Sequence, residues 1–142
     1  MTTVRELLDR KGRAVYSVEP EDPVLEAIQV MADHHVGALL VMRGAELIGI
    51  VSERDYARKV ILLSRSSHET PVWQIMSSPV ITVTPDQTLQ DCMRLMTERR
   101  IRHLPVTEQG SVSGVLSIGD LVKAVMEEQQ QTIEQLETYI RT

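Results

Sequence analysis

Apolar residues recur at a helical spacing in two stretches of the chain. The residues of each stretch stand at positions i, i+3, i+4 and i+7, which is the spacing of one buried helix face. They are Val24, Ala27, Ile28 and Met31 in the first stretch and Leu89, Cys92, Met93 and Met96 in the second. Two short apolar runs separated by a turn follow each stretch, a pattern that predicts a strand hairpin. A further helix is predicted after each hairpin.

The two stretches belong to one internal repeat. The sequence aligns with itself, without a gap, at an offset of 65 residues. The identical pairs include Gly49 and Gly114, Ser52 and Ser117, and Asp55 and Asp120. A unit of about 60 residues is too small to bury a stable core comfortably by itself. We therefore predict two units that pack against each other as a pseudo-symmetric pair.

The predicted fold class is α/β (α+β), with two units of order β-α-β-β-α and a C-terminal helical extension. The expected boundaries are residues 1–65 for the first unit, 66–128 for the second and 129–142 for the extension. In the extension, Ile133, Leu136 and Ile140 form a narrow apolar seam. Such a seam is more typical of a contact with another helix than of a free surface.

Composition narrows the class of protein. Of the 142 residues, 42% are hydrophobic and 25% are charged, as in a soluble globular protein. The N-terminus has no apolar leader-like stretch and no apolar run is long enough to cross a membrane, so we expect a cytoplasmic protein. The single cysteine excludes an intramolecular disulfide, and no Cys/His grouping has zinc-site spacing. A formal charge of -5 argues against a nucleic-acid binder.

The pattern Ser-x-x-Asp, present once in each copy before a predicted helix, has two interpretations. In one it is a capping box, in which the serine accepts a hydrogen bond from a backbone N–H and the acid bonds back. In the other it borders a nucleotide site. A helix N-terminus favours a phosphate near Ser52 or Ser117, and Asp55 or Asp120 accepts hydrogen bonds from ribose hydroxyls.

Basic residues cluster near these motifs in an otherwise acidic protein. The clusters are Arg54, Arg58 and Lys59 in the first copy and Arg99, Arg100, Arg102 and His103 in the second. One interpretation is a solvated charged surface, and the other is a set of phosphate ligands. Because the clusters differ between the copies, they predict two unequal sites.

This arrangement resembles a tandem cystathionine-β-synthase-type (CBS) domain pair, also called a Bateman module. The resemblance rests on the doubled Gly, Ser-x-x-Asp and helix pattern and on "RIRHLPV" followed by "SGVLSIGDLVKAV", and it covers Val4 to about Glu128. It implies a small stand-alone regulatory protein of bacterial type that binds an adenosine ligand in clefts between its units. AMP is the first expectation, with ATP, ADP, NAD and S-adenosylmethionine as alternatives, and no catalytic cofactor or metal is expected.

The resemblance also implies roles for individual residues. Asp55 and Asp120 are the expected ribose ligands. Beside the ribose or phosphate we expect Ser52, Ser117, Arg54, Arg58, Arg102 and His103. The expected adenine pockets contain Tyr16, Ser17, Gly37, Ala38, Ile81, Thr82 and Pro105. Gly37 and Ala38 stand where the second copy has Arg102 and His103, which argues against equal occupancy of the two clefts.

Two other classes of function stay open. One is a protein-interaction module with vestigial clefts, and the other, less favoured, is a small enzyme. Cys92 lies on an apolar helix face, as a packed thiol does, and the chain has neither a G-x-G-x-x-G motif nor a phosphate-binding loop. We therefore expect no catalysis. The expected partners are a second copy of the chain and an unidentified regulated protein, with no nucleic-acid polymer and no membrane.

Overall fold

The computed structural model describes residues 1–141, which form two small sheets flanked by helices. The helices are α1 (Val4–Lys11), α2 (Val24–His34), α3 (Glu53–Tyr56), α4 (Leu89–Arg99) and α5 (Ile118–Arg141). The strands are β1 (Ser17–Val18), β2 (Ala38–Arg43), β3 (Glu46–Ser52), β4 (His103–Glu108) and β5 (Ser111–Ser117). A π-helical turn (Ala57–Ile61) continues α3, and a 3₁₀ turn (Val72–Gln74) precedes the second unit. The predicted α/β fold class is confirmed.

The two hairpins share one register, as the repeat predicts. Ala38 pairs with Ser52 in the antiparallel β2–β3 hairpin, and His103 pairs with Ser117 in the β4–β5 hairpin. Both hairpins also carry a register shift after their fourth pair. The offset of 65 residues therefore holds for individual hydrogen-bonded pairs as well as for the order of the elements.

The first strand of each unit is shorter than the pattern predicts. β1 has two residues and pairs with β2 in parallel. The equivalent segment of the second unit pairs only through a bridge between Val83 and Val106. Where the order β-α-β-β-α predicts the first strand of the second unit, the structure has this isolated parallel bridge. Pro79 and Pro85 bracket this segment, and neither has an N–H to donate to a ladder.

The lead-in segment of each unit, which comes before the first strand of that unit, packs against the other unit. Val4 and Leu8 of α1 are buried in the core that α4, β4, β5 and α5 form. Val72 and Ile75, which lead into the second unit, are buried in the core of the first unit. Each core therefore contains apolar side chains from both halves of the chain.

Backbone hydrogen bonds fix this exchange at the starts of α2 and α4. The Leu89 N–H donates to the Thr2 carbonyl over 2.9 Å, and the Val24 N–H donates to the Thr70 carbonyl over 2.9 Å. Such N–H groups have no acceptor within their own helix. Because each lead-in supplies that acceptor to the other unit, neither first helix is complete without the opposite half of the chain.

The last helix runs unbroken through the predicted extension. α5 ends at Arg141, and Thr142 lies outside the described residues. The side chains of Ile133, Leu136 and Ile140 are 48%, 58% and 80% exposed. The apolar seam predicted from the sequence is therefore not packed within residues 1–141.

A substitution in β5 tests the docking of α1 on the second unit. A Cβ on Gly114 would lie 2.7 Å from Cδ2 of Leu8, and Leu8 is buried and cannot swing into solvent. We expect Gly114→Ala to lower the free energy of unfolding by about 1–3 kcal/mol, the usual cost of overpacking a core. Urea denaturation measures this loss.

Gly119→Ala is the matched control for this experiment. A Cβ on Gly119 would lie 3.6 Å from Oγ of Ser117, an ordinary contact. Replacing a helical glycine by alanine usually stabilises by about 0.5–1 kcal/mol. Equal losses for Gly114→Ala and Gly119→Ala would contradict the tight contact with Leu8.

Candidate functional site

Two clefts lie between the units, with cavity volumes of about 380 Å³ and 710 Å³. Cleft A, the smaller, includes Lys11, Tyr16, His35, Val115, Ser117 and Asp120. Cleft B, the larger, includes Ser52, Asp55, Arg58, Ile81, Arg100 and Arg102. Both volumes fall within the range of small-molecule pockets, about 300–1,000 Å³.

Each cleft combines the Ser-x-x-Asp motif of one unit with the first extended segment of the other. In cleft A, Ser117 and Asp120 of the second unit lie across from Tyr16 of the first. In cleft B, Asp55 of the first unit lies across from Ile81 of the second. A molecule that fills either cleft therefore contacts both units at once.

Both Ser-x-x-Asp motifs form capping boxes. Oγ of Ser52 accepts a hydrogen bond from the Asp55 N–H at 3.1 Å, and Oδ2 of Asp55 accepts one from the Ser52 N–H at 3.0 Å. The equivalent bonds between Ser117 and Asp120 measure 3.2 Å and 2.7 Å. The capping bonds use only Oδ2 of each aspartate. Because Oδ1 lies outside the capping box, capping and ligand binding are compatible roles of the same carboxylate.

Lys11 reaches cleft A from α1 and pairs with Asp120. Its Nζ donates to Oδ2 of Asp120 and to the Val115 carbonyl, each at 2.6 Å. Burial by itself raises the pKa of Asp120, but the hydrogen bond and charge of Lys11, with the bonds from Ser117, outweigh it. The pKa of Asp120 therefore lies below its ordinary value. At neutral pH this carboxylate is ionised and its charge is balanced by Lys11.

Asp55 in cleft B is held more loosely. Nζ of Lys59 lies 3.4 Å from Oδ1 of Asp55 and donates instead to the Ile75 carbonyl at 2.9 Å. Four arginines also line this cleft: Arg54, Arg58, Arg100 and Arg102. Within residues 1–141, none of the four forms a salt bridge with an acidic side chain. Cleft B thus combines the carboxylates of Asp55 and Glu53 with four guanidinium groups that form no salt bridge within residues 1–141.

The wall between the clefts is shared. Gly37, Ala38, Ile50 and His103 line both cavities. Burial lowers the pKa of His103, and the positive charges of Lys11 and Arg102 lower it further against the opposing effect of Asp120. His103 is therefore neutral at pH 7 and adds no positive charge to either cleft.

Most of the residues predicted for the site line at least one cleft. Tyr16, Ser117 and Asp120 line cleft A, Ser52, Arg54, Asp55, Arg58, Ile81 and Arg102 line cleft B, and Gly37, Ala38 and His103 line both. The structure thus brings these residues together in two groups. Their roles in holding a ligand stay predictions.

Three residues predicted for the adenine pockets lie outside both clefts: Ser17, Thr82 and Pro105. Ser17 and Thr82 directly follow Tyr16 and Ile81, which line cleft A and cleft B. Pro105 is buried in β4 rather than facing a cavity. The cavity walls at the predicted adenine pockets therefore contain fewer of the predicted residues than the sequence suggests.

The sequence analysis missed Lys11 and His35 in cleft A and Glu53 in cleft B. Lys59 and Arg100, which also line cleft B, belong to the basic clusters that it considered as phosphate ligands. His35 reaches cleft A because it ends α2 with a left-handed backbone, at φ 54°. Lys11 carries no local signal, since the repeat aligns it with Met76 and its partner Asp120 is 109 residues away.

The remaining reactive side chains have structural surroundings. Cys92 is fully buried, and burial with the nearby charge of Asp91 raises the pKa of its thiol to about 11. Across residues 1–141, no three His, Cys, Asp or Glu side chains are grouped closely enough to hold a metal ion. The helices of the same residues are all too short or too polar to cross a membrane.

Comparisons with known proteins agree with this architecture. The family model for the CBS domain matches residues 4–62 and 72–127. The mitochondrial CBS domain-containing protein CBSX3 of Arabidopsis thaliana is 40% identical, over 99% of this chain and 72% of that protein. A solved structure from Burkholderia ambifaria, described as a candidate signal-transduction protein with CBS domains, is 50% identical with a TM-score of 0.87. It covers 90% of this chain and 96% of its own.

A more distant solved structure contains bound ligands. The CBS domain pair of protein MJ0100 is in complex with 5′-methylthioadenosine and S-adenosyl-L-methionine. It is 20% identical, with a TM-score of 0.80 over 90% of this chain and 98% of its own. At this identity the likeness shows the fold alone.

Replacing Lys11 tests the electrostatics of cleft A. We expect Lys11→Met to raise the pKa of Asp120, because the carboxylate loses its main stabilising charge, and to raise the pKa of His103, because a repelling charge is gone. NMR titration of both side chains measures the two shifts. Arg13→Met removes a cation that pairs with Asp9 instead and serves as the control. Unchanged pKa values in Lys11→Met would contradict this assignment.

Proposed function

This chain belongs to the CBS-domain family, and from that premise we propose that it is a regulatory module that binds adenosine ligands in clefts A and B. The observation that carries the proposal is the crossed construction of the clefts. In each, a capped aspartate from one unit lies across from the first extended segment of the other. A ligand that contacts both units therefore stabilises one relative placement of the units as well as binding to their side chains.

The chemistry of each cleft suits a nucleoside. An aspartate oxygen outside the capping box accepts hydrogen bonds from vicinal hydroxyls, as an acidic residue does for a ribose. Apolar side chains, Tyr16 in cleft A and Ile81 in cleft B, are available to the base. The MJ0100 domain pair, which binds methylthioadenosine and S-adenosylmethionine, supports an adenosine-type ligand. AMP is our first candidate, followed by ATP, ADP and NAD.

In this proposal, a ligand in a cleft changes how the two units pack against each other, and a partner protein detects that change. A ligand biases two arrangements of a protein only if it binds them with different affinity. Because each ligand bridges the two units, arrangements that open a cleft lose contacts with it. A partner protein that contacts both units would then distinguish filled from empty clefts. The description of the Burkholderia ambifaria relative as a candidate signal-transduction protein supports a regulatory role.

Asparagine substitutions test the proposed ribose ligands. We expect Asp55→Asn and Asp120→Asn each to weaken binding in its own cleft by about tenfold to a hundredfold, because a hydrogen bond to a charged group contributes about 1.5–3 kcal/mol. Calorimetric titration with AMP, ATP, NAD and S-adenosylmethionine measures the affinities. Unaltered affinity in the double variant would contradict the ribose role.

The chain contains a matched control in Asp91. Thr88 and Asp91 form the same reciprocal capping box at the start of α4, with bonds of 3.1 Å and 3.0 Å, and Asp91 lines neither cleft. Asp91→Asn should leave ligand affinity unchanged. If wild-type protein bound none of the four compounds, an interaction module with vestigial clefts would become the better description.

We also propose that α5 joins two copies of the chain. The exposed residues Val122 and Met126 extend the seam of Ile133, Leu136 and Ile140 toward the domain pair. Their spacings of four, seven, three and four residues follow the a and d positions of a heptad. An identical helix that presents the same positions would bury this stripe. In this proposal the seam is the contact surface of a homodimer.

Polar substitutions in the seam test the homodimer. We expect Ile133→Ser combined with Leu136→Ser to shift the mass measured by light scattering from dimer toward monomer, because two central apolar contacts are lost. Gln131→Ser combined with Gln135→Ser changes exposed residues outside the seam and should leave the mass unchanged. A seam variant that stays dimeric would remove α5 from the interface.

A further inference from the structure

The two clefts carry different charge, and we propose that they select different classes of adenosine ligand. Cleft B takes a ligand with a polyphosphate tail, and cleft A takes an adenosine compound without phosphate. The proposal rests on the proposed function, since both ligands share the adenosine part. It adds that the two ligands differ in the group attached at the 5′ position of the ribose.

The internal repeat allows the two clefts to be compared position by position. Five cationic residues line cleft B, and four of them have uncharged or weakly basic counterparts in the other copy. The pairs are Arg54 and Gly119, Lys59 and Ala124, Arg100 and His35, and Arg102 and Gly37. The fifth, Arg58, aligns with Lys123, which lines not cleft A but an adjoining cavity of about 270 Å³ that shares Lys11 and Asp120 with it. The same scaffold therefore places five cationic side chains along cleft B and only Lys11 along cleft A, among residues 1–141.

The cations of cleft B come from both units. Arg54, Arg58 and Lys59 belong to α3 and the π-helical turn after it, and Arg100 and Arg102 connect α4 to β4. Two acids, Glu53 and Asp55, also line the cavity, so the positive charges are in excess. Guanidinium groups bind phosphate oxygens in bidentate geometry. Convergence of these groups on one cavity of about 710 Å³ fits a chain of phosphates.

The cationic side chain that lines cleft A, Lys11, already has bonding partners. Lys11 bonds to Asp120 and to the Val115 carbonyl, both at 2.6 Å. Among residues 1–141, no other lysine or arginine lines this cavity, which measures about 380 Å³. A polyphosphate placed within this cavity would be desolvated without a free counter-charge, and that carries a large free-energy cost. A neutral or cationic 5′ group avoids this cost.

Single-cleft variants separate the two preferences. Asp120→Asn leaves cleft B intact, and Asp55→Asn leaves cleft A intact. Titration calorimetry with adenosine and with ATP, without added divalent cation, gives an ATP-to-adenosine affinity ratio for each variant. We expect this ratio to be above about ten in Asp120→Asn and below one in Asp55→Asn, because each charge-assisted phosphate contact strengthens binding by about tenfold or more.

A second set of variants tests the named cations. Adding Arg100→Gln and Arg102→Gln to Asp120→Asn should lower the ATP-to-adenosine ratio by about tenfold or more. Adding Arg43→Gln, which removes an exposed arginine paired with Glu21 outside both clefts, should leave the ratio unchanged.

In wild-type protein, added salt should weaken ATP binding more than adenosine binding. This salt titration uses wild-type protein, so its result does not depend on the folding of any variant.

The outcomes separate this proposal from the proposed function. Equal ratios in the two single-cleft variants, or ATP and adenosine binding with equal salt dependence, would overturn the division of ligands and leave adenosine binding standing. Absence of binding by adenosine, AMP, ATP and S-adenosylmethionine to wild-type protein would overturn both. A ratio above ten in Asp120→Asn that the two arginine substitutions abolish would establish cleft B as the polyphosphate site.

Discussion

The exchange of lead-in segments between the two units determines the rest of the structure. α1 buries Val4 and Leu8 in the second unit, and the segment around Val72 and Ile75 is buried in the first. Hydrogen bonds from Leu89 and Val24 complete both contacts. Because half-size units bury too little apolar surface alone, this shared core makes the pair fold as one body. It also sets the first segment of one unit against the Ser-x-x-Asp motif of the other, and that creates the clefts.

The local order of the fold could be predicted from the sequence, and its crossed contacts could not. Residues close together in the sequence carry the signals that predict α2 and α4, the two hairpins and the long α5. The pairing of Lys11 with Asp120 joins residues 109 positions apart and has no counterpart in the repeat. Ser17 and Thr82 lie outside the clefts although their neighbours Tyr16 and Ile81 line them. Periodicity over so few residues does not determine which side chain faces a cleft.

The Ser-x-x-Asp motif forms the capping box that its sequence suggests, and its geometry is compatible with the proposed ligand-binding role. Reciprocal bonds through Oδ2 hold the helix start, and the same bonds fix the carboxylate so that Oδ1 has a defined position. A carboxylate immobilised before ligand arrives loses less conformational freedom on binding. Asp91 caps α4 in the same way but lines neither cleft, so a capping box does not by itself place a carboxylate in a cleft. Position between the units is the additional requirement.

Unequal clefts on a repeated scaffold have a consequence for signalling. Gly37, Ala38, Ile50 and His103 line both cavities, so a ligand in one cleft contacts side chains that also border the other. Any displacement of this wall by one ligand changes the free energy of binding of the second, and the effect is reciprocal. In the proposed function, a neutral His103 would transmit such a change through packing and hydrogen bonding rather than through charge. If the clefts accept a phosphorylated and an unphosphorylated adenosine compound, the module responds to the balance between them rather than to either alone.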